Sequence, residues 1–364
     1  MRILIAGAGP AGLSFATLMA RSNPDSDITV VERGPAHMDP GWGVTLRDYA
    51  TDFLGLDSAV MQKLRGRACW YRAQLAVDLP YPPTDGLHTI SRAALNEALV
   101  QSCRDAGVGI LYDTDIRAMA AEFDDVDLVV AADGRNSAVR ALHVDVFSPT
   151  VVEGGNRYAW LGVAKPFDTL TILLEDSELP VLAWAYKYTE THSTLIIETT
   201  AQTLNQSGVE HLSAEESCAV IGRSLAGELD GASVLHSGAV RWEAFPMISC
   251  ARLRHRNVVL LGDAAHTTHF SQGFGTMFAF DDAAALHEAL TQAPSVDEAL
   301  ERYEANQQPK IARFQAQSGA SMMWSEQTVA ALQAHDEPGV RAQIEARWPN
   351  NEMPQAPMRP LAPR

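Results

Sequence analysis

The first residues whose types and spacing could do chemistry are Gly7-Ala8-Gly9-Pro10-Ala11-Gly12, which fit the pattern GxGxxG. In such a turn Gly7 allows a tight reversal, Gly9 lets the backbone approach a pyrophosphate, and Gly12 lets a helix pack closely on the preceding strand. The phosphates then rest on the positive end of that helix. Glu32 follows Gly12 by 20 residues (32 − 12), the spacing of a carboxylate that accepts hydrogen bonds from an adenosine ribose, and Arg33 stands beside it. FAD and NAD share this adenosine diphosphate half, so the motif alone does not choose between them.

Two further motifs stand downstream. Asp133-Gly134-Arg135-Asn136-Ser137-Ala138-Val139-Arg140 fits DGxxSxxR, and Gly262-Asp263-Ala264-Ala265-His266 is followed by Gly273, Gly275 and Asp282-Ala283. His266 and His269 are the candidates for catalytic proton handling, because imidazole titrates near neutral pH. With Asp263 they lack a metal-ligand pattern, and Cys69, Cys103, Cys218 and Cys250 include no CxxC pair. Neither a metal site nor a disulfide framework is expected.

In order and spacing these motifs resemble the three fingerprints of the single-component (group A) FAD-dependent aromatic hydroxylases, over residues 1 to about 290. The resemblance implies an FAD site at Gly7, Gly9, Pro10, Ala11, Gly12, Glu32, Arg33, Asp133, Gly134, Arg140, Gly262, Asp263, Gly273, Gly275 and Thr276. Asp263 would meet a ribityl hydroxyl. The helix opened by the Gly273 to Gly275 turn would stabilise negative charge at the flavin N1 and O2 edge. Arg92, in Arg92-Ala93-Ala94-Leu95, matches the family's flavin-contacting arginine of RxxL. Further runs resemble the branch that holds salicylyl-CoA and anthraniloyl-CoA hydroxylases and the violacein-pathway hydroxylase of a tryptophan-derived pigment. They are Gly41-Trp42-Gly43-Val44, Gly155-Asn156-Arg157-Tyr158 with Trp160-Leu161-Gly162, and Ala185-Tyr186-Lys187-Tyr188 leading to Ser193-Thr194. Gly43 and Val44 join the implied FAD contacts.

No second GxGxxG is present, so the resemblance implies NADH or NADPH as a transient reductant, with molecular oxygen as co-substrate. A C4a-hydroperoxyflavin would then transfer its distal oxygen to an electron-rich ring, while the protein positions groups and excludes water. The substrate would be a small aromatic or indole-like compound, free or conjugated to coenzyme A or a carrier. Alternatives are an FAD-binding relative that oxidises or shelters a reactive aromatic intermediate, or a binding module without turnover. A flavin halogenase would need a Trp-x-Trp-x-Ile-Pro run that is missing. Two positions depart from the family: His269-Phe270-Ser271-Gln272-Gly273 lacks the usual proline, and Met277 replaces a common asparagine. Both point to a differently shaped pocket near the flavin.

The elements that must position these residues read as an α/β fold. A strand at 3–6, the glycine turn, a helix at 11–21 and a strand at 28–31 open a parallel βαβ unit of Rossmann type. Strands at 70–79, 108–112, 128–131 and 258–261 and helices at 92–105, 214–228, 275–292 and 296–317 follow. Between them, alternating aromatic and β-branched runs at 158–163, 170–174, 181–188 and 194–199 predict an inserted, mostly antiparallel substrate sheet. Trp160, Trp184, Tyr186 and Tyr188 share even parity there. With His192, Trp242, Phe245, Met247 and Phe270 they are candidates for the substrate pocket.

The expected division is an FAD domain in segments 1–69, 89–150 and 250–295, a substrate domain at 70–88 and 151–249, and closing helices with a loose tail at 296–364. That leaves no room for a second catalytic domain.

Composition sets the outer bounds. The 364 residues are 46% hydrophobic and 20% charged, as in a folded globular protein. The formal charge of −17 would repel phosphate backbones and argues against nucleic-acid binding. The apolar run 3–20 is broken by Gly7, Gly9, Pro10 and Gly12, which disfavours a signal or membrane helix. The expectation is a soluble, cytoplasmic monomer or homodimer.

Overall fold

The computed structural model describes residues 1–36, 41–47, 60–71, 74–80 and 86–347. The chain divides into two compact units. The first comprises Met1–Pro40, Ala93–Val152 and Pro246–Gly319, and the second Gly41–Arg92, Glu153–Phe245 and Ala320–Arg364.

The first unit is built on a six-stranded sheet in the order Arg254–His255, Val258–Leu260, Leu128–Ala131, Arg2–Ala6, Asp27–Val31, Gly109–Leu111. All neighbours are parallel except the first pair. Its central strands are continuous apolar runs because both faces are covered, as parallel sheets require. Ile3, Ile5, Leu128, Val129, Val130, Val259 and Leu260 are all buried. The helix Pro10–Ser22 packs against the helix Gly275–Gln292.

The second unit carries a seven-stranded sheet in the order Val234–Leu235, Asn156–Val163, Ser193–Thr200, Val181–Lys187, Leu170–Glu175, Gly66–Tyr71, Gln74–Pro80. Side chains alternate between its faces. The odd-numbered face, with Ala159, Leu161, Ala183, Ala185, Leu195 and Ile197, forms one core with Leu204, Ile221 and Leu225 from the helices and turn that follow it. The opposite face carries Trp160, Ile196 and Trp184 in one cross-strand row, and Gly162, Thr194 and Tyr186 in the next. A smaller sheet pairs Gly43–Arg47 with Leu87–Ser91 and Gln62–Lys63.

Several elements differ from the sequence reading. The single strand expected at 70–79 is an antiparallel pair, Gly66–Tyr71 with Gln74–Pro80. The helix expected at 214–228 stops at Ser224, turns through the buried Leu225 and resumes as Ala226–Leu229. The helix expected to end at 317 runs Val296–Gln333 and passes through Pro309. Its later turns bury Ser318, Ser321, Ser325 and Thr328, and small hydroxyl residues hide a buried stripe from any apolar pattern. The tail from 349 lies outside the described residues.

Candidate functional site

In the first unit the glycine turn has the geometry its sequence implied. Gly7 adopts φ +100°, and a Cβ there would stand 2.3 Å from the Ala132 carbonyl oxygen. A Cβ on Gly12 would stand 2.2 Å from the Gly7 carbonyl oxygen. Pro10 opens the helix, which has no side-chain cap at Gly9. Glu32 ties the second strand to this turn: its carboxylate accepts the Ala8 N–H at 2.9 Å and the Gly34 N–H at 2.8 Å. Arg33 is exposed.

The 133–140 loop and the 262–264 turn are joined directly. One oxygen of Asp133 accepts the N–H groups of Ala138 (2.6 Å) and Val139 (3.3 Å), while Oδ1 is buried without a partner among the described residues. Gly134 provides a φ of +79°. The Arg140 guanidinium donates to the carbonyls of Arg135 and Ala264, the latter at 2.7 Å. Asp263 is exposed at the turn, and Gly273, at φ +66°, closes the loop before the helix that begins at Gly275. That helix has no side-chain cap either, with Gly275 exposed and Thr276 half-buried.

Both histidines of this segment are buried. His266 Nε2 lies 2.8 Å from Asp282 Oδ2, and its ring meets Phe278 edge-on. His269 Nδ1 lies 2.8 Å from Ser271 Oγ, its ring stacks on Phe270 at 4.2 Å, and its backbone N–H lies 2.5 Å from Ser318 Oγ. Met247 is half-buried, and a Cβ on Gly319 would stand 3.8 Å from its terminal methyl. Met277 is buried in the helix core.

In the second unit, runs far apart in sequence become one contact cluster. Trp42 Nε1 donates to the Trp160 carbonyl at 3.2 Å, and a Cβ on Gly162 would strike the Trp42 ring at 2.3 Å. A Cβ on Gly43 would strike Tyr188 at 2.3 Å. The Gly43 N–H donates to Thr194 Oγ1 at 2.9 Å, and its carbonyl accepts the Tyr186 hydroxyl at 3.0 Å. Arg92 donates its N–H to the Trp42 carbonyl and lays its exposed guanidinium 5.8 Å from the Trp160 ring centre. Val44 lies one residue along the same strand and is half-buried. Burial pushes the Tyr186 phenol up, so it stays a protonated donor.

Trp184 shares the row of Trp160 but is enclosed by protein groups. Its Nε1 donates to Glu198 Oε1 at 3.1 Å, Trp324 lies edge-on at 6.1 Å, and the Arg347 guanidinium lies 5.4 Å away. Phe245 is half-buried with its ring 5.9 Å from that of Tyr158. Sequence reasoning missed Glu198, Trp324 and Arg347 altogether. The one available signal was a lone carboxylate inside an otherwise uncharged strand, Ser193–Thr200.

Comparison with known proteins follows the same lines. Residues 125–318 match the family model described as FAD binding domain, and residues 2–164 match one described as lycopene cyclase protein. A salicyloyl-CoA 5-hydroxylase of Streptomyces sp is 34% identical over 93% of this chain and 68% of its own. A 3-hydroxy-4-methyl-anthranilyl-[aryl-carrier protein] 5-monooxygenase of Streptosporangium sibiricum is 34% identical over 89% of each chain. A protodeoxyviolaceinate monooxygenase of Chromobacterium violaceum is 30% identical over 90% of this chain and 89% of its own. The chain belongs to the single-component (group A) FAD-dependent aromatic hydroxylases. A solved structure of 2-methyl-3-hydroxypyridine-5-carboxylic acid oxygenase shares the fold, with a TM-score of 0.71 at 19% identity, over 94% of this chain and 95% of that one.

A group A hydroxylase carries FAD, and the described residues fit it. Gly9 and Gly275 leave open space where a Cβ would stand, at the starts of two helices that no side chain caps. Unpaired N–H groups at such ends suit a pyrophosphate or a flavin oxygen. The unpartnered Asp133 oxygen is a further acceptor. Among the described residues no helix is long and apolar enough to cross a membrane, and no cluster of three or more metal-ligating side chains occurs.

Proposed function

We propose that this hydroxylase uses FAD, NADH or NADPH, and molecular oxygen to hydroxylate a small aromatic or indole-like acid, free or attached to coenzyme A or a carrier protein. The observation that carries the reading is the clustering of Trp42, Gly43, Arg92, Trp160, Gly162, Tyr186 and Thr194 at one face of one sheet. All of these but Arg92, which belongs to the RxxL motif, come from the runs that resemble the branch acting on such acids. Relatives named for coenzyme A and aryl-carrier substrates support the same class.

In this reading Gly7, Gly9, Pro10, Ala11 and Gly12 hold the pyrophosphate, and Glu32 with Arg33 the adenosine ribose. Asp133, Gly134, Arg140, Gly262 and Asp263 line the ribityl chain, while Gly273, Gly275 and Thr276 with Gly43, Val44 and Arg92 meet the flavin. The bound, reduced FAD would supply the oxygen-activating chemistry, one atom of O₂ entering the aromatic ring and the other leaving as water. Trp160, Tyr186, Phe245, Met247 and Phe270 orient that ring and keep water out, whereas Trp184, enclosed by Glu198, Trp324 and Arg347, is left out of that role. We place the protein in the cytoplasm, where nicotinamide coenzymes are available and its free cysteines stay reduced.

The test is NAD(P)H oxidation by the FAD-reconstituted protein across benzoic, anthranilic and indolic acids and their coenzyme A thioesters, under labelled O₂. One labelled oxygen atom in a product whose formation is coupled to NAD(P)H consumption is the expected result. Stimulated NAD(P)H oxidation with no labelled oxygen in any product would overturn hydroxylation.

A further inference from the structure

Asp282 lies two turns into the helix Gly275–Gln292 and is fully buried. One of its oxygens accepts the Gly262 N–H at 2.7 Å and faces His266 Nε2 at 2.8 Å. The other accepts Gln307 Nε2 at 2.7 Å. Gln307 in turn donates to Asp281 at 3.0 Å, and its carbonyl accepts Lys310 Nζ at 2.9 Å. A carboxylate has no proton to offer, so His266 Nε2 carries the hydrogen of the pair and gives it to Asp282. That nitrogen is therefore not the group that exchanges a proton with a substrate.

The carboxylate gathers three elements. The turn Gly262–Ala264, the helix that starts at Gly275 and the long helix Val296–Gln333 all meet at Asp282. Gly262 sits at φ +57°, and a Cβ on it would come within 3.2 Å of Ala11 Cβ, in the first turn of the pyrophosphate helix. A shift of the Gly262 turn would therefore be felt both at Asp263 and at Ala11.

We propose that Asp282 and His266 are positioning residues for the flavin: together they hold the Gly262–Asp263 turn in fixed relation to the start of the helix Gly275–Gln292. This rests on the reading that Asp263 and that helix start contact FAD. Charge supports the geometry. Burial pulls the His266 imidazole down, but Asp282, with Asp263 and Asp281, more than offsets it and holds the group above its ordinary value. While the imidazole is protonated, the pair combines a hydrogen bond with opposite charges, the stronger kind of tie.

The experiment uses the full chain, stripped of FAD and titrated with it by flavin fluorescence, with the visible spectrum and midpoint potential recorded for the reloaded protein. Asp282→Ala and His266→Ala are expected to weaken FAD binding by roughly 10–100-fold, the size of a lost charged hydrogen bond, and to shift the flavin spectrum and potential. His266→Gln keeps a side-chain donor and is expected to restore binding to within a few-fold of the native protein. Asp263→Asn tests the underlying reading separately: unchanged FAD affinity there overturns the contact between Asp263 and FAD. Weakened binding in Asp263→Asn with native affinity in Asp282→Ala overturns the positioning role. Should Asp282→Ala fail to fold, equal affinity in His266→Ala and His266→Gln overturns it instead.

Discussion

His266 shows how far a residue type can mislead when its surroundings are hidden. A histidine beside a flavin motif reads as a proton carrier, yet here its Nε2 faces a buried carboxylate and its ring lies in the core. The charge state can be tested through stability. Asp282, Asp263 and Asp281 hold the folded-state pKa above the value near 6.5 expected of an unfolded chain, against the pull of burial. A raised histidine pKa stabilises the fold fully below the unfolded value, and that contribution fades as pH rises through the folded one. The melting-temperature gap between native protein and His266→Gln should therefore be widest near pH 6 and narrow towards pH 9. A gap that stays constant across that range would mean His266 is not charged in the fold. The glycines were more transparent, because their demand is steric and local. Gly7 and Gly12 could be read from the turn pattern alone, whereas Gly43 and Gly162 are required by Tyr188 and Trp42, more than a hundred residues away.

Elements were legible where one period or one turn defines them. The short β-branched strands of the parallel sheet, the four antiparallel runs between 156 and 200, and the helix after the last glycine turn all follow from such patterns. What joins elements was not legible, and Glu198 is the clearest case. Its carboxylate accepts hydrogen bonds from Asn156 (3.2 Å), Trp184 (3.1 Å) and Ser325, tying three side chains of the sheet to the long helix Val296–Gln333. Arg347, at the end of the helix Glu337–Arg347, stacks 4.3 Å from the Trp324 ring centre, and burial pulls its pKa down to about 10 despite the pull of Glu198 the other way. No local pattern links Glu198 to Ser325, 127 residues later. Glu198→Gln would turn an amide N–H towards donors that now meet an oxygen, and a buried donor left without an acceptor costs about 1–3 kcal/mol. Urea unfolding should show a loss of that size, with a change in tryptophan emission as Trp184 and Trp324 are disturbed. Native stability in this variant would show that the carboxylate is not what holds the helix to the sheet.

At the scale of the whole molecule the governing quantity is the formal charge of −17. FAD and nicotinamide coenzymes are anions, so the protein's long-range field opposes their approach unless local cations outweigh it. The arginines near the cofactor motifs do less for that approach than their sequence positions imply. Of Arg33, Arg47, Arg92, Arg135 and Arg140, which stand in or near those motifs, Arg47 is buried, Arg135 is half-buried and Arg140 spends its guanidinium on the Arg135 and Ala264 carbonyls, which leaves Arg33 and Arg92 as the exposed cations. Acidic first turns, such as Glu215 with Glu216 and Asp297 with Glu298, add to the repulsive field. Screening should then help the ligand. Raising ionic strength from about 0.01 M to 0.15 M shortens the Debye length from roughly 30 Å to 8 Å, which removes most of the distant repulsion while contacts within a few ångströms survive. The association rate of FAD with the apoprotein is accordingly expected to rise several-fold over that range in stopped-flow fluorescence, with little change in the dissociation rate. A fall in the association rate with salt would instead mean that the local cations dominate the field that an arriving dinucleotide meets.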